Sequence, residues 1–268
     1  MVLFRMFELN MLLRKMKFCI WMILVPGLRV INFSVDFKLT RLGSEHGWVF
    51  VEREYLTDST LVSVGLGEDA SFDIEFIHAH NANVIVVDPT PRAINHFQQI
   101  VSSFGAPKEG NYLAGGQQPI SSYDLTRVSR NNFVMVPKAL WIETGRIDFY
   151  SPKDPHHVSY SITNLQKTSE SIKVDSICFR DLLIHSNISV TDIGIIKLDV
   201  EGAATEILLN IFKDGFRPKQ ILVELEEMFK ISLTNVLKLR LLAKILSESG
   251  YCVRHSDGVA NFTFEQNQ

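Results

Sequence analysis

Cysteine is scarce, with Cys19, Cys178 and Cys252 the only three in 268 residues. They are too few and too scattered for a disulfide framework or a zinc site, so packing must hold the fold. Nine prolines and fifteen glycines exclude collagen-like and low-complexity chains. Charge of one sign is also lacking: the formal net charge is −3 and the pI about 6.2. Without a basic field the chain has no global means of holding nucleic acid. No internal repeat is visible. What is present is apolar side chain, 46% of residues against 21% charged. That composition builds a full core and excludes a disordered tail.

The N-terminus stands apart. Within residues 1–41, Arg5, Arg14, Lys15, Lys17, Arg29, Lys38 and Arg41 are opposed only by Glu8 and Asp36. Behind Lys17 runs an uncharged apolar stretch, 18–28, broken near its end by Pro26-Gly27. It is about half the roughly 20 residues that a membrane-spanning helix needs. Its basic-then-apolar order resembles a signal-peptide core, yet no clear small-residue cleavage site follows. The length rule favours a helix packed on the domain. Contact with a membrane surface, or a targeting role, stays open. The expected division is a basic, apolar extension (1–41) and a folded domain (42–268), with a cytoplasmic location.

From residue 60 onward, short apolar runs alternate with helical spacing. Leu61-Val62-Ser63-Val64 ends in Gly65-Leu66-Gly67, and Phe72, Phe76, Ile77 and Ala79 then recur at helix-like intervals. Val84-Ile85-Val86-Val87 is continuous, as in a strand buried on both faces of a parallel sheet, and ends at Asp88-Pro89. A helix is predicted from Pro91 towards Val101, proline suiting a first turn. Residues 105–132, rich in Gly, Gln, Ser and Asn, read as a surface excursion or mobile lid. Residues 133–136 are a third strand, and the runs 139–142 and 146–150 flank Glu143-Thr144-Gly145 as a hairpin. The stretch 176–185 is amphipathic and reads as helix. Strands at 193–198 and 220–223 precede helices at 202–212 and 233–246. Asp257-Gly258 between two short runs signals a terminal hairpin. The alternation predicts an α/β fold with helices on both faces of a mostly parallel sheet.

Gly65-Leu66-Gly67-Glu68-Asp69-Ala70 follows a strand and opens a helix. Glycine permits the tight turn and lets a ligand approach the backbone. Asp88 ends the next strand, where a carboxylate can accept hydrogen bonds from ribose hydroxyls. Two cofactor classes use such a site. A dinucleotide lays its pyrophosphate on the helix N-terminus, and Gly-x-Gly-x-x-Ala matches that fingerprint. Glu68 and Asp69 would then stand beside the phosphates, which is unfavourable. S-adenosylmethionine carries cationic sulfonium and ammonium groups and no phosphate, so the acids favour the methyl donor. They also complement a helix dipole, which leaves the nicotinamide reading open.

The segments VSVGLGEDASFD (62–73), VDPTP (87–91) and IKLDVEGA (196–203) resemble the FkbM-type methyltransferase family. They correspond to its first motif, its second-strand end and its Lys-x-Asp-x-Glu-Gly-Ala signature. Residues 42–48 and 157–162 are similar to segments of one branch of that family, and the likeness runs from about Leu42 to Glu226. It implies a class I methyltransferase fold, a Rossmann-like three-layer sandwich on a seven-stranded sheet whose last strand is antiparallel. It also implies S-adenosyl-L-methionine as cofactor and O-methylation of a hydroxyl, often on a sugar or natural product. The partner would then be a small-molecule or glycan acceptor. Two positions depart from the wider class: Ser63 stands where many members carry an acid, and Asp69 replaces the third loop glycine.

Cofactor contacts are expected from Gly65, Leu66, Gly67, Glu68, Asp88, Pro89 and Asp199. A hydroxyl acceptor needs somewhere for its proton to go. Asp199 ends a central strand, where ligands of open α/β sheets bind, or else N-caps the next helix. Glu201 follows, with complementation of the helix dipole as its other role. His157 titrates near neutral pH, though a solvated loop histidine looks the same in sequence. Glu224 and Glu226 point to one face if the chain stays extended, and either can touch substrate. Trp141 lines an adenine pocket or is plain core. No metal site is expected. A nicotinamide-dependent oxidoreductase and a non-catalytic nucleoside-binding protein are the rival classes, because fold does not fix function.

Overall fold

The computed structural model describes residues 2–30, 37–150, 162 and 170–267. Helix α1 (Val2–Leu24) is followed by the antiparallel pair β1 (Leu39–Leu42) and β2 (Trp48–Val51). Then come β3 (Thr60–Val64), α2 (Ser71–His80), β4 (Asn83–Val87), α3 (Pro91–Ser102) and β5 (Phe133–Val136). Three strands, β6 (Ala139–Leu140), β7 (Gly145–Tyr150) and β8 (Ser171–Ile177), form a small sheet. The chain continues through α4 (Phe179–Ser186), β9 (Ile193–Leu198), α5 (Ala204–Lys213) and β10 (Gln220–Glu224). It closes with α6 (Leu233–Glu248), β11 (Tyr251–Ser256) and β12 (Asn261–Gln266).

The main sheet has seven strands in the order β11-β12-β10-β9-β3-β4-β5. Neighbours from β10 through β5 are parallel, and β12 runs antiparallel to both β10 and β11. This is the class I methyltransferase arrangement expected from the sequence, terminal hairpin included. Alternate strand residues feed two cores, as the period of two requires. Val62, Val64, Ile196 and Leu198 face one that α4, α5 and α6 cover. Leu61, Val84, Val86 and Ile195 face the other, filled by Phe72 and Phe76 of α2, Ala93 and Ile100 of α3 and Phe50 of β2. The end of α1 docks on the first core through Trp21, with Val25 and Leu28 beyond it.

Three local readings need correction. β6 and β7 do not form a hairpin: β8 lies between them, parallel to β6 and antiparallel to β7. The intended turn is held elsewhere, because the Ser176 hydroxyl donates to the Glu143 carbonyl and the Cys178 N–H to the Thr144 hydroxyl. The helix read at 176–185 starts only at Phe179, its first residues belonging to β8. Residues 105–132 are not a free lid. Tyr123, Leu125 and Val128 are buried in the second core, and the Tyr123 hydroxyl accepts the Ala70 N–H at 3.0 Å.

Candidate active site

Strand order reverses between β3 and β9, and such a switch point leaves a crevice at the carboxyl ends of the strands. Here it holds a cavity of about 560 Å³, within the usual range for small-molecule sites. The β3–α2 turn forms one wall. Gly65 has a φ of +83°, and a Cβ there would stand 1.9 Å from the Asp199 carbonyl oxygen. Only glycine fits between the two strand ends. Gly67, at φ +56°, meets nothing where its Cβ would be, and it too lines the cavity.

Asp88 organises this turn. One carboxylate oxygen accepts the Leu66 and Gly67 N–H groups at 3.0 and 3.1 Å. The other accepts the Thr90 N–H at 2.8 Å and the Thr90 hydroxyl at 2.7 Å. The acid expected to meet ribose thus already fills about four acceptor positions within the protein. Asp69 accepts the Ser71 N–H at 2.9 Å and the Ser44 hydroxyl at 2.6 Å. A carboxylate therefore occupies the N-terminus of α2. Glu68 lies 3.4 Å from Arg92, which partly offsets its charge.

The opposite wall is built by β9. Lys197 is 4% exposed; its Nζ donates to the Gly65 carbonyl at 2.7 Å and to the Ser63 hydroxyl at 3.3 Å. A buried cation needs compensation, and the carboxyls of Asp73 and Asp199 provide it. Burial holds both above the usual carboxylate range, while Lys197 pulls them down. Asp199 is hydrogen-bonded to Glu224, which burial and then the Asp199 charge push up to about 8. Glu201 is bonded likewise to Glu226, pushed up to about 10 by burial and then by that bond. Two hydrogen-bonded carboxyl pairs thus join the ends of β9 and β10. Glu201 has φ +26° and Gly202 φ +75°, and α5 starts only at Ala204 with Ala203 as its N-cap. Asp199 therefore does not cap α5, and that alternative role falls away.

Gly65, Leu66, Gly67, Glu68, Asp88, Pro89, Asp199 and Glu201 all line the cavity. Glu224 and Glu226 stand behind that lining, bonded to it. Trp141 packs against the first core; Ala139, Leu140, Phe149 and Ile162 supply the apolar wall instead. His157 lies outside the described residues. Among the described residues, no group of three or more His, Cys, Asp or Glu side chains could hold a metal ion. Sequence reasoning missed Lys197, Asp73 and His46, all at the cavity. A lysine inside the apolar run Ile195-Ile196-Lys197-Leu198 was an available signal, since buried lysines are almost always paired. Asp73 looks like an ordinary first-turn acid and His46 like a surface residue. Only the fold brings them here.

A doubly wound sheet of this order, with a glycine turn buttressed by the acid of the next strand, defines the class I methyltransferase architecture. The Methyltransferase FkbM domain matches residues 52–251. The chain belongs to that methyltransferase family. No curated protein matches it. Among solved structures, the chain is similar to a mutant of MtNAS at 9% identity and TM-score 0.35, covering 79% of this chain and 55% of that one. It is similar to the antibiotic-resistance methyltransferase Kmr at 12% identity and TM-score 0.34, covering 85% and 100%. The chain thus spans about half the length of the first. Likeness at these scores carries no argument about chemistry.

Proposed function

We propose that the chain is an S-adenosylmethionine-dependent O-methyltransferase acting on a hydroxyl of a sugar or small natural product. The observation that carries this reading is the occupied N-terminus of α2, where Asp69 accepts the Ser71 N–H. A pyrophosphate would compete for that position and meet like charge. A cofactor with cationic groups and no phosphate would not. The remaining lining suits the same ligand: Gly65 and Gly67 for close approach, Ala139, Leu140, Phe149 and Ile162 for a purine. Asp88 and Pro89, at the end of β4, would border the ribose.

Bound there, S-adenosylmethionine supplies a methyl group on a sulfonium leaving group. The protein's part is alignment, exclusion of water and proton handling. Lys197 ties the Gly65 carbonyl to β9 and so fixes the loop. Asp199 presents a carboxylate at the cavity wall with Glu224 behind it, and Glu201 repeats the arrangement with Glu226. A hydroxyl loses its proton as its new C–O bond forms, so a carboxylate here supports the O-methyl assignment. His157 is the alternative base. His46 and Glu68 add polar contacts for a hydroxylated acceptor. The free state of Cys19, Cys178 and Cys252 accords with a cytoplasmic enzyme.

Thermal unfolding with S-adenosylhomocysteine, and separately with NAD, tests the cofactor. Ligand at about 100 times its Kd adds roughly 2.7 kcal/mol. A Tm rise with the homocysteine compound alone supports the reading; no rise, or a rise with NAD, overturns it. Methyl transfer to a panel of sugar and natural-product hydroxyls, read by mass spectrometry, then tests the acceptor class.

A further inference from the structure

Exposed apolar side chains are concentrated in one place. Of the fourteen large hydrophobic residues exposed among the described residues, ten fall within 13–30 and 228–247. Those two segments are packed on each other. The Trp21 indole N–H donates to the Met228 carbonyl at 2.8 Å, and the Arg240 guanidinium to the Leu24 carbonyl at 2.7 Å. Gly27 sits so near α6 that a Cβ would stand 3.0 Å from the Ala243 Cβ. The segments therefore belong to one continuous region. On α6 the contribution is Leu233, Leu237 and Leu241, spaced four apart along one face. On α1 it is Leu13, Met16, Ile20 and Ile23. Single exposed leucines need no explanation, but a contiguous patch does.

The charge on the same segments decides what covers them. They hold eight basic residues and no acidic one, with Glu226 and Glu227 just before the second segment and Glu248 just after it, in a chain of net charge −3. Lys238 and Lys244 are paired with Glu206 and Glu248, whereas Arg14, Lys15, Lys17 and Lys230 lie exposed beside the apolar side chains. A second copy of the chain would bring these cations face to face, which is repulsive. A surface that is anionic outside and apolar beneath suits both features. Among the described residues no helix is long and apolar enough to cross a membrane, so the fitting geometry is a helix lying in the interface. We propose that this face docks on an anionic lipid bilayer, with α1 among the headgroups and the α6 stripe and Phe229 against it. Phe229 shares its helical turn (Glu226–Phe229) with Glu226, the partner of cavity residue Glu201. The docking face therefore starts beside the catalytic cavity.

Co-sedimentation of the full chain with vesicles tests this. One set holds equal parts phosphatidylglycerol and phosphatidylcholine, the other phosphatidylcholine alone. Binding to the first set, weakened by salt and at least about tenfold tighter than to the second, is the expected result. Neutralising Arg14, Lys15 and Lys17 together with glutamine should cost on the order of 100-fold in partition. Leu237→Ser with Leu241→Ser should cost about tenfold or more, with Tm unchanged because both side chains are exposed. Equal sedimentation with both vesicle sets, none with either, or variants that bind like the parent chain would overturn the proposal. So would a dimer in light scattering that Leu237→Ser dissolves, since a second copy would then cover the face.

Discussion

On the β3–β4 side of the cavity, Asp69 and Asp88 accept backbone N–H groups and Glu68 faces Arg92. On the β9–β10 side, Asp199 faces Glu224 and Glu201 faces Glu226. The difference is in what each carboxyl meets. An acid that meets N–H donors fixes the backbone, and its acceptor positions are taken. Acids that meet one another cannot all ionise at neutral pH, so they store protons and can exchange them. On the proposed reading, the first side builds the cofactor's seat and the second is where an acceptor's proton can be received. Each side can be broken separately.

The largest effect is expected where the two sides touch. Gly65→Ala would drive a Cβ to 1.9 Å from the Asp199 carbonyl oxygen at a φ of +83°. Overpacking and left-handed strain together should cost about 3–5 kcal/mol, read as a large Tm loss or failure to fold. Gly67→Ala meets open space and should cost only the strain, about 1–2 kcal/mol. Equal losses would mean the strand ends are not pressed together. Next comes Asp199→Asn, which removes the wall carboxylate while leaving the loop intact. Turnover should fall about 10²- to 10⁴-fold, the usual contribution of a general base, with S-adenosylhomocysteine binding changed far less. Unchanged turnover would move the base elsewhere, His157 being the next candidate. Asp88→Asn should do the reverse. It replaces charge-assisted bonds to Leu66 and Gly67, costing about 1.5–3 kcal/mol in stability, and should weaken S-adenosylhomocysteine binding more than it slows a saturated enzyme.

Legibility in the sequence followed the same physical lines. The central strands were readable because a parallel strand buried on both faces is a continuous apolar run; the reading 193–198 coincides with β9. β8 was not, since its residues are mostly exposed or half-buried and only Ser176 and Ile177 are buried. Its end therefore merged with the helix that follows. The polar stretch 105–132 misled because composition is averaged over a segment, whereas burial there rests on a few side chains such as Tyr123 and Leu125. In the site, Asp88 and Asp199 could be found from their positions at strand ends. The partners of Asp199 could not. That Glu224 meets Asp199, and that Lys197 lies between Gly65 and Ser63, depends on the pairing of β9 with its two neighbours, which lie far apart in sequence.

The smallest and most specific test concerns the proton on Glu224. In the folded chain this carboxyl titrates near about 8, against 4.5 for an ordinary glutamate. Folding therefore favours its protonated form. Its contribution to stability is complete below about pH 4.5 and is lost as the pH rises towards about 8. Glu224→Gln keeps a hydrogen-bond donor towards Asp199 at every pH and removes the titration. The variant and the parent should unfold at similar temperatures near pH 4.5, and the gap should then widen in favour of the variant up to about pH 8. Glu224 is only partly buried, so solvent screens much of the effect, and a final gap of roughly 2–4 °C is expected. A gap of constant size would mean that Asp199 and Glu224 do not share a proton. The two sides of the cavity would then differ in hydrogen-bond partners but not in their capacity for proton transfer.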